Sequence, residues 1–238
     1  YLYLYFTAVL RSFGNSMFQA IAMLVSTILN AILDPIFIHC FGFHGAAIAT
    51  LLSQGICLIF MVVYLKRKKF FSLHITWFDK ADIFPLIGKA IPSIVQQSIP
   101  AISTTFLTAL ISTYGITAIA AYGITGKLET ILFYPAMALN MVLTTIVGQC
   151  IGGQRIDRAK DYLKCALKYG CVLLFLLSGI IVIFSKQLAG FFVNSTEVAT
   201  IVGVYFLTVS IGYVLNTVTN CFLGVLNGLG KPEKSMFL

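Results

Sequence analysis

Apolar residues fill long stretches of the chain and polar residues gather at the ends of those stretches, a pattern that predicts seven helical spans. Residues 1–13 read as the last part of a span, closed by Arg11 and the turn Ser12-Phe13-Gly14-Asn15. The second span covers about 17–39, and the third runs from Gly45 to Tyr64 and is closed by Lys66-Arg67-Lys68-Lys69. Four more follow at about 86–113, 128–150, 162–185 and 198–227. A bilayer core takes about 20 residues of helix, so runs of this length are expected to cross it. Between the third and fourth spans, Phe70, Phe71, Trp77 and Phe78 stand among charged residues, a composition suited to a segment lying at the membrane surface. The expected fold is an all-α polytopic membrane protein with parts at 1–65 and 86–238 joined by an interfacial linker, 66–85.

Breaks in the apolar pattern carry the chemistry. The second span holds one carboxylate, Asp34, with Asn30 one turn behind it and Thr27 on the same face. An aspartate in the middle of a membrane helix costs roughly 2.5 to 3.5 kcal/mol on insertion scales, so its default reading is functional, here an ion or proton site. Pro35 removes the donor that would bond the Ala31 carbonyl and marks a kink, as do Pro92 and Pro100 in the fourth span. Gln96 and Gln97 on that span, Asn140 and Thr144 on the fifth, and Asn216 and Asn220 on the seventh are candidates for a substrate cavity or for helix-to-helix hydrogen bonds. Glu129 reads as a local ion pair with Lys127 near the outer end of the fifth span. Met137 with Met141, and Tyr205 with Phe206, read as packing residues.

Charged residues are 10% of the chain, against about 25% in soluble domains, and mean hydropathy is +0.95, which excludes a soluble fold. The net charge of +8 does not imply nucleic acid. Lys127 and Lys186 apart, the 16 basic residues all fall on one side of an alternating seven-span topology, and that side is cytoplasmic. The 6 cysteines are scattered without a C-x-x-C pair, so neither a disulfide framework nor a metal site is indicated. G-x-S-x-G and H-E-x-x-H are absent and Gly152-Gly153 lacks the Lys-Ser/Thr of a phosphate loop, so neither an enzyme nor a nucleotide cofactor is expected. Phe6-Thr-Ala-Val-Leu-Arg-Ser-Phe-Gly14 recurs as Phe222-Leu-Gly-Val-Leu-Asn-Gly-Leu-Gly230 with six spans between, an even number that makes the repeats parallel.

Six segments together carry a family resemblance: Leu10-Arg11-x-x-Gly14, Asn30-x-x-x-Asp34-Pro35-x-Phe37-Ile38, Gly45-Ala46-Ala47-Ile48-Ala49-Thr50, Ile91-Pro92-Ser93, Ala120-Ala121-Tyr122 and Gly148-Gln149-x-Ile151-Gly152. Over its whole length the chain resembles the multidrug and toxic compound extrusion (MATE) family of secondary transporters. The resemblance implies a twelve-helix, two-lobe transporter with parallel six-helix repeats. This chain, which starts inside an apolar run without an initiator methionine, would be a fragment of it. Residues 1–65 would be the end of helix four and helices five and six of the N-lobe; residues 86–238 would be helices seven to ten and the start of eleven of the C-lobe.

The function implied is export of amphipathic, often cationic drugs or toxic compounds across a bacterial plasma membrane, by a monomer without further cofactor, in exchange for protons or sodium ions. In one branch the coupling site uses positions that match Asn30 and Asp34, with Thr50 as a third member. Another branch places carboxylates on helices seven and ten, where this chain offers only Gln96, Gln97, Pro100, Asn216, Thr217 and Asn220, so a carboxylate site in the C-lobe is not expected. The alternative is a flippase for lipid-linked oligosaccharide precursors. The few basic residues inside the spans speak against the cationic cavity it would need.

Overall fold

Backbone groups inside a bilayer must bond one another, and a helix achieves this within a single segment. In a computed structural model covering residues 2–68, 80–193 and 195–236, every regular element is an α-helix. They are α1 (Leu2–Ser12), α2 (Ser16–Phe41), α3 (Phe43–Arg67), α4 (Lys80–Ser112), α5 (Ile116–Gly152), α6 (Ile156–Gly190), α7 (Thr196–Gly228) and α8 (Pro232–Met236). The six from α2 to α7 are long and apolar enough to cross a membrane, so the protein is a multi-pass membrane protein. Helix continues through Pro35 in α2, through Pro92 and Pro100 in α4 and through Pro135 in α5.

The helices are longer than the hydrophobic runs suggested. α5 starts at Ile116 rather than near 128, because burial of Ala121, Ile124, Thr125 and Leu128 overrides the weak helix propensity of Thr117, Gly123 and Gly126. α4 already begins at Lys80, and Lys66 and Arg67 complete α3, so both ends of the expected linker are helical. Its middle, 69–79, with Phe70, Phe71, Trp77 and Phe78, lies outside the described residues.

The chain divides into two compact units, Tyr1–Trp77 and Phe78–Leu238. In the first, α3 buries Gly45, Ala49, Ser53, Cys57, Met61 and Leu65, a stripe repeating every four residues. The turn between α2 and α3 pivots on Gly42, whose φ of 61° favours glycine. A Cβ at Gly45 would overlap the Phe37 backbone, so this glycine permits the close approach of the two helices. Further down, the Cys57 thiol donates to the Ala22 carbonyl at 2.8 Å and Phe18 stacks on Tyr64 with ring centroids 3.8 Å apart.

The second unit is built on α5, α6 and α7, whose core includes Leu128, Leu132, Leu174, Val202 and the fully buried Phe206. Gly224 and Gly228 let α7 meet α5 backbone to backbone: a Cβ there would lie 2.6 Å from the Asn140 carbonyl oxygen and 2.8 Å from that of Thr144. This is the small-xxx-small device of membrane helix pairs.

Both copies of the sequence repeat end their helices alike. Gly14 and Gly230 take φ of 78° and 68°, and the next residue of each, Asn15 or Lys231, donates from its backbone to the carbonyl five positions earlier, on Leu10 or Leu226. α5 closes the same way, with Gln154 at φ 56° and Arg155 donating to the Cys150 carbonyl.

Candidate functional site

Asp34 lies about two turns inside the outer end of α2, half-buried. The Asn30 amide donates both to Asp34 Oδ1, at 3.2 Å, and to Thr50 Oγ1 on α3, at 3.3 Å. Asn30 thus links the carboxylate to the neighbouring helix, and the structure brings together Asn30 and Asp34, which the spacing singled out, and Thr50, which the resemblance implied. The Thr50 hydroxyl donates in turn to the Ala46 carbonyl at 2.9 Å. Thr27, expected on the same face, turns its hydroxyl to the Met23 carbonyl and does not join the cluster. Toward the cytoplasmic end, an apolar cavity of about 250 Å³ opens between the same helices, lined by Phe18, Ala22, Ser26, Ser53, Cys57 and Phe60 among others.

Four of the six candidate cavity residues meet in the second unit. Asn140 donates to Asn220 Oδ1 across the α5–α7 contact at 3.3 Å, and Asn220 donates to Asn216 Oδ1 at 3.2 Å. Thr144 donates to the Asn140 carbonyl at 2.8 Å. The network sits where Gly224 and Gly228 bring the two backbones together. Gln96, half-buried, and Gln97, exposed, are on α4 and do not take part in it.

Glu129 overturns the reading of a local ion pair. It lies about three and a half turns into α5, because that helix starts earlier than expected. Lys127, two residues before it, points to another face and is exposed. The partners of Glu129 are phenols on α7: Tyr205 donates to its Oε1 at 2.8 Å and Tyr213 at 2.7 Å to the same oxygen. Tyr213 is buried and held by the rings of Phe133 and Phe206, with centroids at 5.9 and 6.4 Å. Tyr205 is therefore more than a packing residue. The available signal was the eight-residue spacing of Tyr205 and Tyr213, which puts both on one side of a helix.

The MatE family profile matches residues 92–238. A protein of Shewanella oneidensis named FAD transporter is 29% identical over 239 residues, covering 96% of this chain and 53% of that protein. The probable multidrug resistance protein YoeA of Bacillus subtilis is 26% identical over 209 residues, covering 83% of this chain and 45% of the relative. The crystal structure of the Vibrio cholerae MATE transporter VcmN in its bent form superposes with a TM-score of 0.90 at 25% identity, over 99% of this chain and 54% of that one. The chain spans about half the length of the relatives it matches. Matched by the profile over more than half its residues, and by superposition along nearly its whole length, the chain belongs to the MatE family, that of the MATE transporters.

Proposed function

We propose that this chain contributes the coupling site of a cation-driven exporter, and that Asn30, Asp34 and Thr50 are that site. The observation that carries the reading is the Asn30 amide bonded at once to Asp34 and to Thr50. A lone carboxylate in an apolar helix is costly while it is charged, and binding a proton or a sodium ion removes most of that cost. Protonation turns the Asp34 carboxylate from a pure acceptor into a donor, which changes what Asn30 must satisfy. A sodium ion would instead take oxygens. Rotating the Asn30 amide by half a turn presents its carbonyl beside Asp34 and Thr50, and the Ala31 carbonyl, lacking a donor at Pro35, is a further acceptor nearby.

Two loading states that differ in charge stabilise different arrangements of α2 against its surroundings, and an ion gradient biases their populations. Asn30–Thr50 is the strap through which the change reaches α3.

The cargo we assign is an amphipathic organic compound, with drugs the leading class, supported by the kinship with YoeA and by the apolar cavity beside the cluster. The relative named FAD transporter favours a second class, nucleotide-bearing molecules.

The test is ethidium efflux from proteoliposomes containing the full-length protein, under imposed proton or sodium gradients, with FAD as competitor. Efflux is expected to follow one gradient and to vanish in Asp34→Asn. Undiminished gradient-driven efflux in that variant would refute the assignment of Asp34, and competition by FAD decides between the cargo classes.

A further inference from the structure

We propose that Glu129, with Tyr205 and Tyr213, forms a second proton-binding site, one that fastens α5 to α7 when it is empty. The site is independent of the Asp34 cluster and stands on a different carboxylate, carried by a different helix of a different unit. The family positions on α4 and α7 hold no carboxylate in this chain; the geometry points instead to one on α5.

The argument starts from the two hydroxyls that converge on one oxygen. Tyr205 and Tyr213 both donate to Oε1, at 2.8 and 2.7 Å, the ordinary length of a hydroxyl hydrogen bond, and two donors on one atom suit an acceptor that carries charge. A carboxylate has about four acceptor positions, and this one spends two of them on a single atom. Oε2 accepts no hydrogen bond from any described side chain, so its lone pairs remain for a proton.

Among the described residues no cation pairs with the Glu129 carboxylate. On α5, Lys127 points to another face and the remaining ionisable neighbour is Tyr122. From α7 only the two tyrosines face the carboxylate. On α6, Lys186 lies along Gly203, its chain carbons 3.5 Å from where a Cβ would stand, and forms no ion pair with Glu129. The described lysine of α4, Lys89, sits by Gly230 at the cytoplasmic end.

A metal ion suits the site poorly. Hard cations take six or more oxygens in most protein sites, and the described side chains bonded here supply two carboxylate atoms and two phenols whose protons already point at Oε1. A proton needs one lone pair, and Oε2 has it. The proton comes from water and joins Oε2, no other bond is made or broken, and the carboxylate becomes a neutral acid. The two phenol bonds then lose their charge assistance and the tie between α5 and α7 slackens.

The experiment is infrared difference spectroscopy between neutral and acidic pH on the full-length protein in lipid, which reads the carboxylic acid carbonyl band directly and requires no transport. The wild-type minus Glu129→Gln spectrum is expected to show one such band. In Tyr205→Phe and Tyr213→Phe that band should move to higher frequency, and furthest in the double variant, because each change removes a hydrogen bond to the carboxyl group. Asp34→Asn should leave it in place.

The absence of any Glu129-dependent band on acidification would overturn the proposal. So would a band whose position ignores both tyrosines, or a Glu129-dependent change produced by sodium at fixed pH in place of acid. Tyr205→Phe, which deletes one hydroxyl from a half-buried residue, keeps the test available should the glutamine variant fold poorly.

Discussion

Asp34 and Glu129 are both lone carboxylates in long apolar helices, yet their partners differ in kind. Asp34 is bonded by an amide from its own helix, one turn away, and reaches α3 only through that amide. Glu129 is bonded by two hydroxyls that both belong to another helix. The first carboxylate is therefore no part of the close contact of α2 on α3, which rests on Gly45 and the stripe below it, and a change in its state reaches α3 through one amide. The second is part of the packing. On the two proposals above, the same chemical group serves as a switch in one place and as a fastening in the other, and the origin of its donors decides which.

The sharpest way to break this comparison is to neutralise each acid and read two properties. Asp34→Asn is expected to lower gradient-driven efflux by more than about tenfold, equivalent to at least about 1.4 kcal/mol, with little change in thermal stability. Glu129→Ala should do the reverse in emphasis, leaving two phenols without their acceptor at a cost of about 1 to 3 kcal/mol. Unfolding midpoints of both variants, measured beside efflux, check the pair. Equal loss of stability in the two would show that the distinction between switch and fastening is false.

A comparable loss is expected where glycine sets helix contact. Gly45→Ala forces a methyl into the Phe37 backbone and Gly224→Ala into the Asn140 carbonyl, and overpacking of this kind costs typically about 1 to 3 kcal/mol. Gly55 is the control: it is in helix α3 with nothing within 4 Å of its Cβ position, and Gly55→Ala is expected to be neutral or slightly stabilising. Differential scanning of the three variants decides whether the close approaches, rather than glycine as such, hold each unit.

The sequence made the helices legible because a bilayer allows so few alternatives, and it made the Asp34 cluster legible because Asn30 and Asp34 are one turn apart on a single helix. Thr50 came from the family pattern and not from spacing, since it sits beyond a turn whose geometry depends on Gly42. What stayed hidden were contacts between helices far apart in sequence. Glu129 looked paired to Lys127 because the two are close in the chain, and nothing in hydrophobic patterning announces that α7 will lay two phenols against it. The start of α5 was missed for a related reason: glycine and threonine weaken the local signal, and burial against the rest of the unit restores the helix.

The smallest effect tests that same point. Two residues apart on a helix, side chains point about 160° away from each other, so Lys127 and Glu129 cannot share a face. Lys127 is exposed and Glu129 turns toward α7. Were the pair a real local ion bridge, removing the lysine would leave an unpaired acid, lower stability and shift the carboxyl band of Glu129. With the tyrosines as the true partners, Lys127→Met should change stability by less than about 0.5 kcal/mol, the range of exposed positions away from packing, and should leave the band where it is. Thermal unfolding and the infrared difference spectrum of this one variant give both readings, and a displaced band would return Lys127 to the site.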